Sequence, residues 1–328
     1  MKALALFSGG LDSMLAIKLI TEQDIEVTAL YVDIGFGSRE DKDKILRLRA
    51  KEVGANFEVI DIRNSYLQKV LLSPKYGYGK HFNPCIDCHG YMFRIALDML
   101  KHKGASFIIT GEVLGQRPMS QRKEALKNVL SLSGDEDDLI LRPLSAKLLK
   151  PTKPEIEGWV DREALLDISG RNRERQLAMA KEYGFCEYES PGGGCLLTIQ
   201  SYSDKLKDAL AYEGLDKPCD TEILKFGRHL RLDEGAKLII GRDEKDNLKL
   251  EGVENPKFSK VILPQDLIGP YALISKNASK QDKIEAIKLV LTYAKTILNK
   301  EYKVVLEGDE FIQIPYNSKS VASRYFVG

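Results

Sequence analysis

The sequence predicts an α/β fold in which a parallel-sheet domain is followed by a smaller C-terminal α+β domain. In the first two thirds of the chain, apolar β-rich runs alternate with helical patterns, which is the order of a parallel sheet with crossover helices. Beyond residue 217 this alternation gives way to short strands separated by turn residues. The length of 328 residues also exceeds what one compact core usually holds.

We place the N-terminal domain at residues 1–217. Four strands and three helices account for its first 111 residues, and further helical stretches follow at residues 177–180 and 201–213. Its β-rich runs lead into glycines or polar residues, and ligands of open α/β sheets bind beyond the carboxyl ends of the strands. The predicted strands are residues 3–7, 25–37, 57–62 and 107–111, and the predicted helices are residues 14–20, 38–53 and 91–100.

The C-terminal domain is expected at residues 218–328, because the stretch 214–220 contains glycine and proline and shows no periodicity. One helix is predicted within it, at residues 280–298, where apolar residues recur at helical spacing. The predicted strands are residues 223–231, 237–242, 247–250, 302–306 and 310–315.

The composition is typical of a soluble globular protein. Hydrophobic residues make up 43% and charged residues 30% of the chain, and no apolar run approaches the ~20 residues of a membrane span. Met1 and Lys2 lead straight into the first strand and leave no room for a signal peptide, so we expect a cytoplasmic protein with reduced thiols. The net charge of +1 neither supports nor excludes a nucleic acid partner.

The loop after the first strand has the composition of a phosphate-binding loop. Two adjacent glycines, Gly9 and Gly10, allow a sharp turn, and the following helix start offers N–H groups without intrahelical partners. Ser8 and Ser13 add hydroxyl donors. A carboxylate such as Asp12 is compatible with a phosphate site if a divalent metal such as Mg²⁺ lies between the carboxylate and the phosphates. The loop lacks the lysine of a Walker A sequence, which favours a site built around pyrophosphate as a leaving group.

The stretch Ser-Gly-Gly-Leu-Asp-Ser resembles the signature of the PP-loop ATP pyrophosphatases. The resemblance implies a Rossmann-like fold of the adenine nucleotide alpha hydrolase type that binds ATP through this loop. It also implies that the backbone at the end of the second strand, around Tyr31 and Val32, holds the adenine. Gly111, which ends the strand 107–111, is the expected close approach to the nucleotide. The implied nucleotide-binding residues are Ser8, Gly9, Gly10, Leu11, Asp12, Ser13, Tyr31, Val32 and Gly111.

Three cysteines form the second candidate constellation. Cys85 and Cys88 form a Cys-x-x-Cys pair on the approach to a helix, whose N-terminus lowers thiol pKa, and Cys195 follows a run of three glycines. A structural zinc half-site needs a second pair, a redox pair needs nothing more, and an iron–sulfur or sulfur-transfer site needs a third cysteine. Cys186 would complete a zinc site, but we expect it to be a small buried apolar residue.

Three further stretches resemble the tRNA thiolation enzymes. Asn83-Pro84-Cys85-Ile86-Asp87-Cys88 is similar to a motif of the tRNA 2-thiouridine synthetases. Thr110-Gly111-Glu112 with Leu114-Gly115-Gln116, and Leu141-Arg142-Pro143-Leu144, resemble stretches of the tRNA 4-thiouridine synthetases. Together these resemblances cover most of residues 1–200. They imply that Cys88 and Cys195 are catalytic, alongside Asp12.

Cys85 departs from the two-cysteine pattern of those enzymes. PP-loop thiolases with three cysteines hold a [4Fe–4S] cluster, and this resemblance implies that Cys85, Cys88 and Cys195 ligate one. Transfer of a persulfide between Cys88 and Cys195, with Cys85 as a bystander, stays open as the alternative.

Basic residues suggest an RNA partner in two places. Arg171, Arg173 and Arg175 lie at a predicted helix start, where they form either a solvated surface or a docking place for a phosphate backbone. Gly227-Arg228-His229 and Gly241-Arg242-Asp243 resemble the RNA-binding domain of the NFACT proteins, and the alternative is a dimerisation or lid domain.

These features together predict an ATP-dependent tRNA sulfurtransferase. ATP would adenylate an oxygen of a uridine or another base, and sulfur would replace that oxygen with release of AMP and pyrophosphate. The expected partners are tRNA, a donor of sulfide or persulfide, and a second copy of the chain in a homodimer. The alternatives are a PP-loop ligase with a structural zinc site and a non-catalytic RNA-binding protein switched by nucleotide.

Overall fold

The computed structural model describes residues 1–37, 42–189 and 194–328 of the chain. Two compact units make up this part, Met1–Cys195 and Leu196–Gly328. Within it, no helix combines the length and the apolar character that crossing a bilayer requires.

The N-terminal unit contains the predicted parallel sheet. Its five strands are arranged in the order β3-β2-β1-β4-β5, and every neighbouring pair is parallel. The strands are β1 (Lys2–Leu6), β2 (Glu26–Asp33), β3 (Asn56–Asp61), β4 (Phe107–Thr110) and β5 (Ile140–Leu141). The helices are α1 (Leu11–Thr21), α2 (Asp43–Glu52), α3 (Arg63–Tyr66), α4 (Cys85–Lys103), α5 (Lys123–Ser133), α6 (Lys153–Ile156) and α7 (Glu174–Glu182), and a π-helical turn, Leu67–Leu71, continues α3.

The alternation of side chains along β1 explains why helices cover both faces of this sheet. Ala3 and Ala5 belong to the core that contains α1, α2 and α7, whereas Leu4 packs in a second core with α4 and α5. β1 lies between β2 and β4, and Leu6 is in register with Leu30 on one side and Thr110 on the other. The loop after β1 therefore begins where the strand order reverses, which is where open α/β sheets bind ligands.

The C-terminal unit is built on an antiparallel sheet of six strands in the order β11-β10-β8-β9-β7-β6. Ala286, Ile287 and Val290 on its longest helix are fully buried against the sheet core. The strands are β6 (Arg228–Arg231), β7 (Lys237–Ile240), β8 (Phe258–Ile262), β9 (Ala272–Ser275), β10 (Tyr302–Leu306) and β11 (Asp309–Gln313). The helices are α8 (Gln200–Tyr212), α9 (Pro218–Glu222), α10 (Glu244–Glu251) and α11 (Lys280–Tyr293).

Residues 247–250, which we predicted as a strand, form the middle of α10, so this prediction was wrong. The Asp243 carboxylate accepts a hydrogen bond of 2.8 Å from the Asp246 N–H and caps the helix. Leu250 is fully buried while Leu248 is 63% exposed. In a strand, residues two positions apart lie on the same face of the sheet and would be buried alike. The difference between Leu248 and Leu250 therefore fits a helix. The strands β8 and β9 were not predicted from the sequence.

The two units meet in sequence between Cys195 and Leu196, earlier than the boundary expected between residues 217 and 218. Helix α8 belongs to the C-terminal unit because its side chains are bonded there. The Tyr202 hydroxyl donates to the Thr221 carbonyl at 2.9 Å, and Arg231 on β6 forms a 2.6 Å ion pair with Asp208.

A buried charge cluster holds α8 against β6 and β7. Lys237 is fully buried and forms an ion pair with Asp208, while Arg231 bonds both Asp208 and Glu213 and stacks over the Tyr212 ring. Burial lowers the pKa of Lys237. Burial alone would raise the pKa of Asp208, but Arg231 and Lys237 outweigh it and hold that pKa below its ordinary value. Asp208 thus stabilises the fold above the pKa of an unfolded aspartate, and this stabilisation is lost as pH falls through its folded pKa.

We predict that Asp208→Asn destabilises the C-terminal unit by about 3–5 kcal/mol, because the Lys237 ammonium stays buried without its carboxylate. Native-state hydrogen exchange of residues 228–240 measures this loss. The loss should shrink as pH rises through the lowered pKa of Lys237, since a neutral amine needs no counter-charge. Glu310→Gln breaks the exposed pair with Lys303 and should cost less than about 0.5 kcal/mol. Equal effects of the two changes would contradict the prediction.

Candidate functional site

The loop after β1 turns at Gly9, whose φ of +74° is costly for other residues. The N–H groups of Ser13 and Met14 both donate to the Gly10 carbonyl and begin α1. The two serine hydroxyls serve the loop itself: Ser8 Oγ accepts from the Gly10 N–H at 3.3 Å, and Ser13 Oγ donates to the Gly10 carbonyl at 2.7 Å. Both hydroxyls are thus engaged within the loop, which leads into a helix N-terminus, a common place for anions to bind.

The Gly9 carbonyl is fixed from outside the loop. It accepts hydrogen bonds from Arg49 Nη1 at 3.2 Å and from the Glu189 N–H at 3.3 Å. Arg49 Nε also donates to the Glu187 carbonyl at 3.1 Å, and Lys42 forms a 2.8 Å ion pair with Glu189. Burial raises the pKa of Glu189, but Lys42 and Arg49 outweigh it and keep that pKa below its ordinary value. No pattern in the sequence predicts these contacts, because they join residues far apart in the chain.

Gly111, at the carboxyl end of β4, lies directly against the start of α1. A Cβ atom at this position would lie 2.5 Å from the Ser13 nitrogen and 2.6 Å from the Asp12 carbonyl carbon. These neighbours are backbone atoms of a helix and cannot move aside. Glycine is required here because β4 and the loop converge too closely for any side chain.

Asp12 is held by a chain of two glutamines. Gln116 Nε2 donates to Asp12 Oδ2 at 2.6 Å, and Gln176 Nε2 donates to Gln116 Oε1 at 3.1 Å. The other carboxylate oxygen, Oδ1, lies 3.5 Å from Arg173 Nη2 and makes no hydrogen bond with any described residue. A buried carboxylate oxygen with spare lone pairs suits a hard cation such as Mg²⁺. Gln116 belongs to the motif Leu114-Gly115-Gln116, whereas no sequence pattern predicted that Gln176 lies next to it.

The arginines that precede α7 have different surroundings. Arg173 turns inward toward Asp12 and its side chain is 14% exposed. Arg175 forms a 2.6 Å ion pair with Asp167 in which both side chains are more than half exposed, and Arg171 is exposed. The three residues therefore do not form one uniform basic surface.

Tyr31, near the end of β2, lies within electrostatic range of Cys195. Tyr31 and Val32 lie half-buried near the end of β2. Burial raises the pKa of the Tyr31 hydroxyl, and charge on Asp33, Glu189 and Cys195 raises it further. Such interactions require proximity, so Cys195 lies near the strand end predicted to hold adenine. Residues 190–193 of the glycine-rich loop before Cys195 lie outside the described residues.

The three candidate cysteines lie close enough to influence one another. Cys85 and Cys88 occupy the first turn of α4. Burial raises the pKa of Cys88 well above its ordinary value; charge on Cys195 and Cys85 adds to the effect, and the buried Tyr66 hydroxyl opposes it. Burial also raises the pKa of Cys85. Burial thus raises the pKa of both thiols, contrary to the expectation that the helix N-terminus lowers it.

Three thiols are the ligand type that an iron–sulfur centre or a soft metal uses. Among the described residues, however, no three His, Cys, Asp or Glu side chains stand in a ready metal-binding arrangement. The donor set fits such a centre, while its ligand geometry is not preformed. Cys186 is exposed, contrary to expectation, and its thiol lies 3.4 Å from the Gly184 carbonyl.

Other residues of the cysteine motif have structural partners. Asp87, between the two cysteines, accepts hydrogen bonds from the N–H groups of Lys75 at 2.7 Å and Tyr76 at 3.0 Å, and so anchors the loop before α4. His89 Nδ1 lies 2.7 Å from Glu112 Oε1, and Arg142 Nε donates to Glu112 Oε2 at 2.9 Å. These bonds tie the first turn of α4 to the segment after β4.

A sequence profile described as Thiamine biosynthesis protein (ThiI) matches residues 1–182, more than half of the chain. The chain belongs to this ThiI family. A second profile, described as NFACT protein RNA binding domain, matches residues 227–320. The two matches fall in different compact units, in agreement with the resemblances that the motifs indicated.

Curated proteins similar to this ThiI-family chain are named as tRNA-modifying enzymes. A probable tRNA sulfurtransferase of Thermococcus kodakarensis is 28% identical over 51% of the chain and 40% of its own length. One of Methanothermobacter thermautotrophicus is 30% identical over 51% of the chain and 41% of its own length. The tRNA-specific 2-thiouridylase MnmA of Helicobacter hepaticus is 28% identical over 47% of the chain and 49% of its own length. The chain thus spans half or less of these relatives.

A solved structure of a 4-thiouridine synthetase–RNA complex with bound ATP aligns with 56% of the chain and 40% of its own chain. The sequence identity is 23% and the TM-score is 0.41.

We predict that Gly111→Ala destabilises the N-terminal unit by about 1–3 kcal/mol, because the added Cβ collides with the Asp12–Ser13 backbone. Denaturant unfolding followed by the fluorescence of Trp159, the single tryptophan, measures the change in the core of this unit. The control is Lys51→Ala, a change at an exposed position of α2 in the same unit, which should leave the midpoint nearly unchanged. An unchanged midpoint for Gly111→Ala would show that the loop yields without cost.

Proposed function

We propose that this protein is an ATP-dependent tRNA sulfurtransferase. One observation carries the proposal. The lysine-free loop and its carboxylate, Asp12, lie at the carboxyl end of β1, and Cys195 lies near Tyr31 at the carboxyl end of the neighbouring strand β2. Family membership and the names of the curated relatives support the same activity.

The proposed reaction proceeds in two displacements. A base oxygen, such as O4 or O2 of a uridine, attacks the α-phosphorus of ATP, the bond to the β-phosphate oxygen breaks, and pyrophosphate leaves. Hydrosulfide then adds to the activated ring carbon, the carbon–oxygen bond breaks, and AMP departs with the former base oxygen. The base exchanges oxygen for sulfur without any redox change, and released protons pass to solvent.

Each part of the loop has a role in the first displacement. The amides at the start of α1 bind the phosphates, and Asp12 would hold Mg²⁺, which neutralises the charge that develops on pyrophosphate. Gln116 fixes the orientation of Asp12 through its 2.6 Å bond. Backbone groups at Tyr31 and Val32 are proposed to bind adenine, and Gly111 leaves room for the loop to lie against β4.

Cys85, Cys88 and Cys195 are proposed to handle sulfur. The raised pKa of Cys88 keeps its thiol protonated at neutral pH, so an isolated Cys88 is a poor nucleophile. Binding to a metal centre deprotonates a coordinating thiol. These three thiols would hold a [4Fe–4S] cluster, which supplies an open iron that can bind sulfide.

The C-terminal unit is proposed to bind the RNA substrate. Its match to an RNA-binding domain supports this role, and cationic side chains lie over aromatic rings within the matched residues. Arg228 and Lys319 both approach the Tyr293 ring, at 4.9 and 5.4 Å from its centre. Cations beside an aromatic ring can bind a phosphate backbone and a base together. Cytoplasmic location, homodimer formation and the sulfur donor stay predictions of the sequence.

We predict that the protein, given ATP, Mg²⁺, sulfide and tRNA, releases AMP and pyrophosphate in step with thionucleoside formation. Chromatography of the nucleotides and mass spectrometry of digested tRNA measure both products. Asp12→Asn should lower the rate roughly a hundredfold or more, because the metal loses its carboxylate. Asp167→Asn, a change on the exposed pair with Arg175, is the control and should leave the rate unchanged.

Two results would contradict this function. ADP and phosphate as products would place cleavage at the other phosphate bond. AMP formation without sulfur in the tRNA, together with bound zinc, would point to a ligase.

We predict that anaerobic reconstitution with iron and sulfide produces a brown protein with absorption near ~400 nm. Substitution of Cys85, Cys88 or Cys195 by alanine should each remove the band, because three thiolates hold the cluster. Cys186→Ala and Cys219→Ala are the controls and should keep it. A colourless wild-type protein, or a band that survives Cys85→Ala, would favour persulfide transfer between Cys88 and Cys195.

A further inference from the structure

The phosphate loop has no cation of its own. Residues 8–13 include one carboxylate and neither lysine nor arginine, although a bound nucleotide would bring several negative charges to them. We infer that Arg173 supplies this missing positive charge and binds the phosphates of the nucleotide directly. The inference rests on the proposed function and adds to it a phosphate ligand that the motifs do not indicate.

The position of Arg173 brings its charge to the right end of α1. Arg173 immediately precedes α7, and α7 packs against α1. Its Nη2 lies 3.5 Å from Asp12 Oδ1, and Asp12 stands in the first turn of α1, directly after the loop. The guanidinium is therefore next to the helix terminus at which phosphates would bind.

Three buried polar atoms in this cluster lack hydrogen bonds. Arg173 Nε, Asp12 Oδ1 and Gln176 Oε1 have no hydrogen-bond partner among the described residues, and Gln176 is fully buried. Buried polar groups are hydrogen-bonded in the great majority of cases, so three exceptions in one cluster need an explanation. A bound metal–nucleotide complex explains the first two, because a phosphate oxygen accepts from the guanidinium and a cation takes the carboxylate oxygen.

The ion pair with Asp12 explains how Arg173 stays near the site before the nucleotide binds. Its charge compensates a carboxylate that is only 15% exposed. A divalent cation on Asp12 replaces that compensation and repels the guanidinium, which is then free to pair with phosphate. Arginine suits this role since it stays charged and offers several donors to phosphate oxygens.

Arg175 provides a matched comparison two residues away. It bears the same charge on the same segment, but its partner is Asp167 and its side chain is 55% exposed. A general effect of positive charge on nucleotide affinity would involve both arginines. A phosphate contact would involve Arg173 alone.

The test is calorimetric binding of α,β-methylene-ATP, which cannot be cleaved between its α and β phosphates, and of adenosine, in the presence of Mg²⁺. Arg173→Gln should weaken binding of the methylene analogue roughly tenfold to a hundredfold and leave adenosine affinity unchanged. Arg173→Lys should recover part of the loss, and Arg175→Gln should bind both ligands as the wild type does. Fluorescence of Trp159 checks that each variant is folded.

Several outcomes would overturn the inference. Unchanged affinity of Arg173→Gln for the methylene analogue would exclude a phosphate contact and leave the proposed function intact. An equal loss for adenosine would assign Arg173 to the structure of the pocket, and an equal loss in Arg175→Gln would indicate a general charge effect. Failure of the folded wild-type protein to bind the analogue would refute the proposed function as well.

Discussion

The close approach of β4 to the start of α1 is the constraint on which the site depends. With β1 and β4 adjacent and parallel, the loop after β1 must pass the end of β4, and the missing side chain of Gly111 leaves the space. The same approach brings Gln116, a few residues beyond β4, to Asp12 on α1. The anion-binding loop, the candidate metal ligand and its orienting amide thus all depend on one backbone contact.

The pKa values of two buried groups, Glu112 and Cys88, shift in opposite directions. Glu112 is buried, yet Arg142 and His89 outweigh the effect of burial and keep its pKa below the ordinary value. Cys88 is buried near other thiols, and no cation among the described residues compensates it, so its pKa rises. The first group is an anion with its counter-charge already present. The second becomes an anion only when a positive centre binds, which is the behaviour expected of metal-binding thiols.

Short-range patterns made the parallel sheet and the phosphate loop predictable. Strand and helix periodicity is local, and so is the requirement for glycine at Gly9, which follows from its positive φ. Gly111 was predicted from the motif, and the fold supplies the reason for it, the contact with the start of α1. The strand predicted at residues 247–250 failed because Leu248 and Leu250, two residues apart, match the period of a strand, while the helix cap at Asp243 was overlooked. The contacts of Arg49 and Arg173 could not be predicted, since they pair residues that only the completed fold brings together.

The hydrogen bonds to the Gly9 carbonyl bear on the entropy of ligand binding. A flexible glycine loop would have to be ordered by its ligand, and fixing each residue's backbone costs about 1–2 kcal/mol of conformational free energy. Because Arg49 and the Glu189 amide already orient the peptide group that follows Gly9, part of this ordering is completed during folding. Preorganisation of this kind lets an anion be bound without spending its interaction energy on the shape of the loop. The flexibility that two glycines bring to the unfolded chain is therefore absent at this peptide in the folded protein.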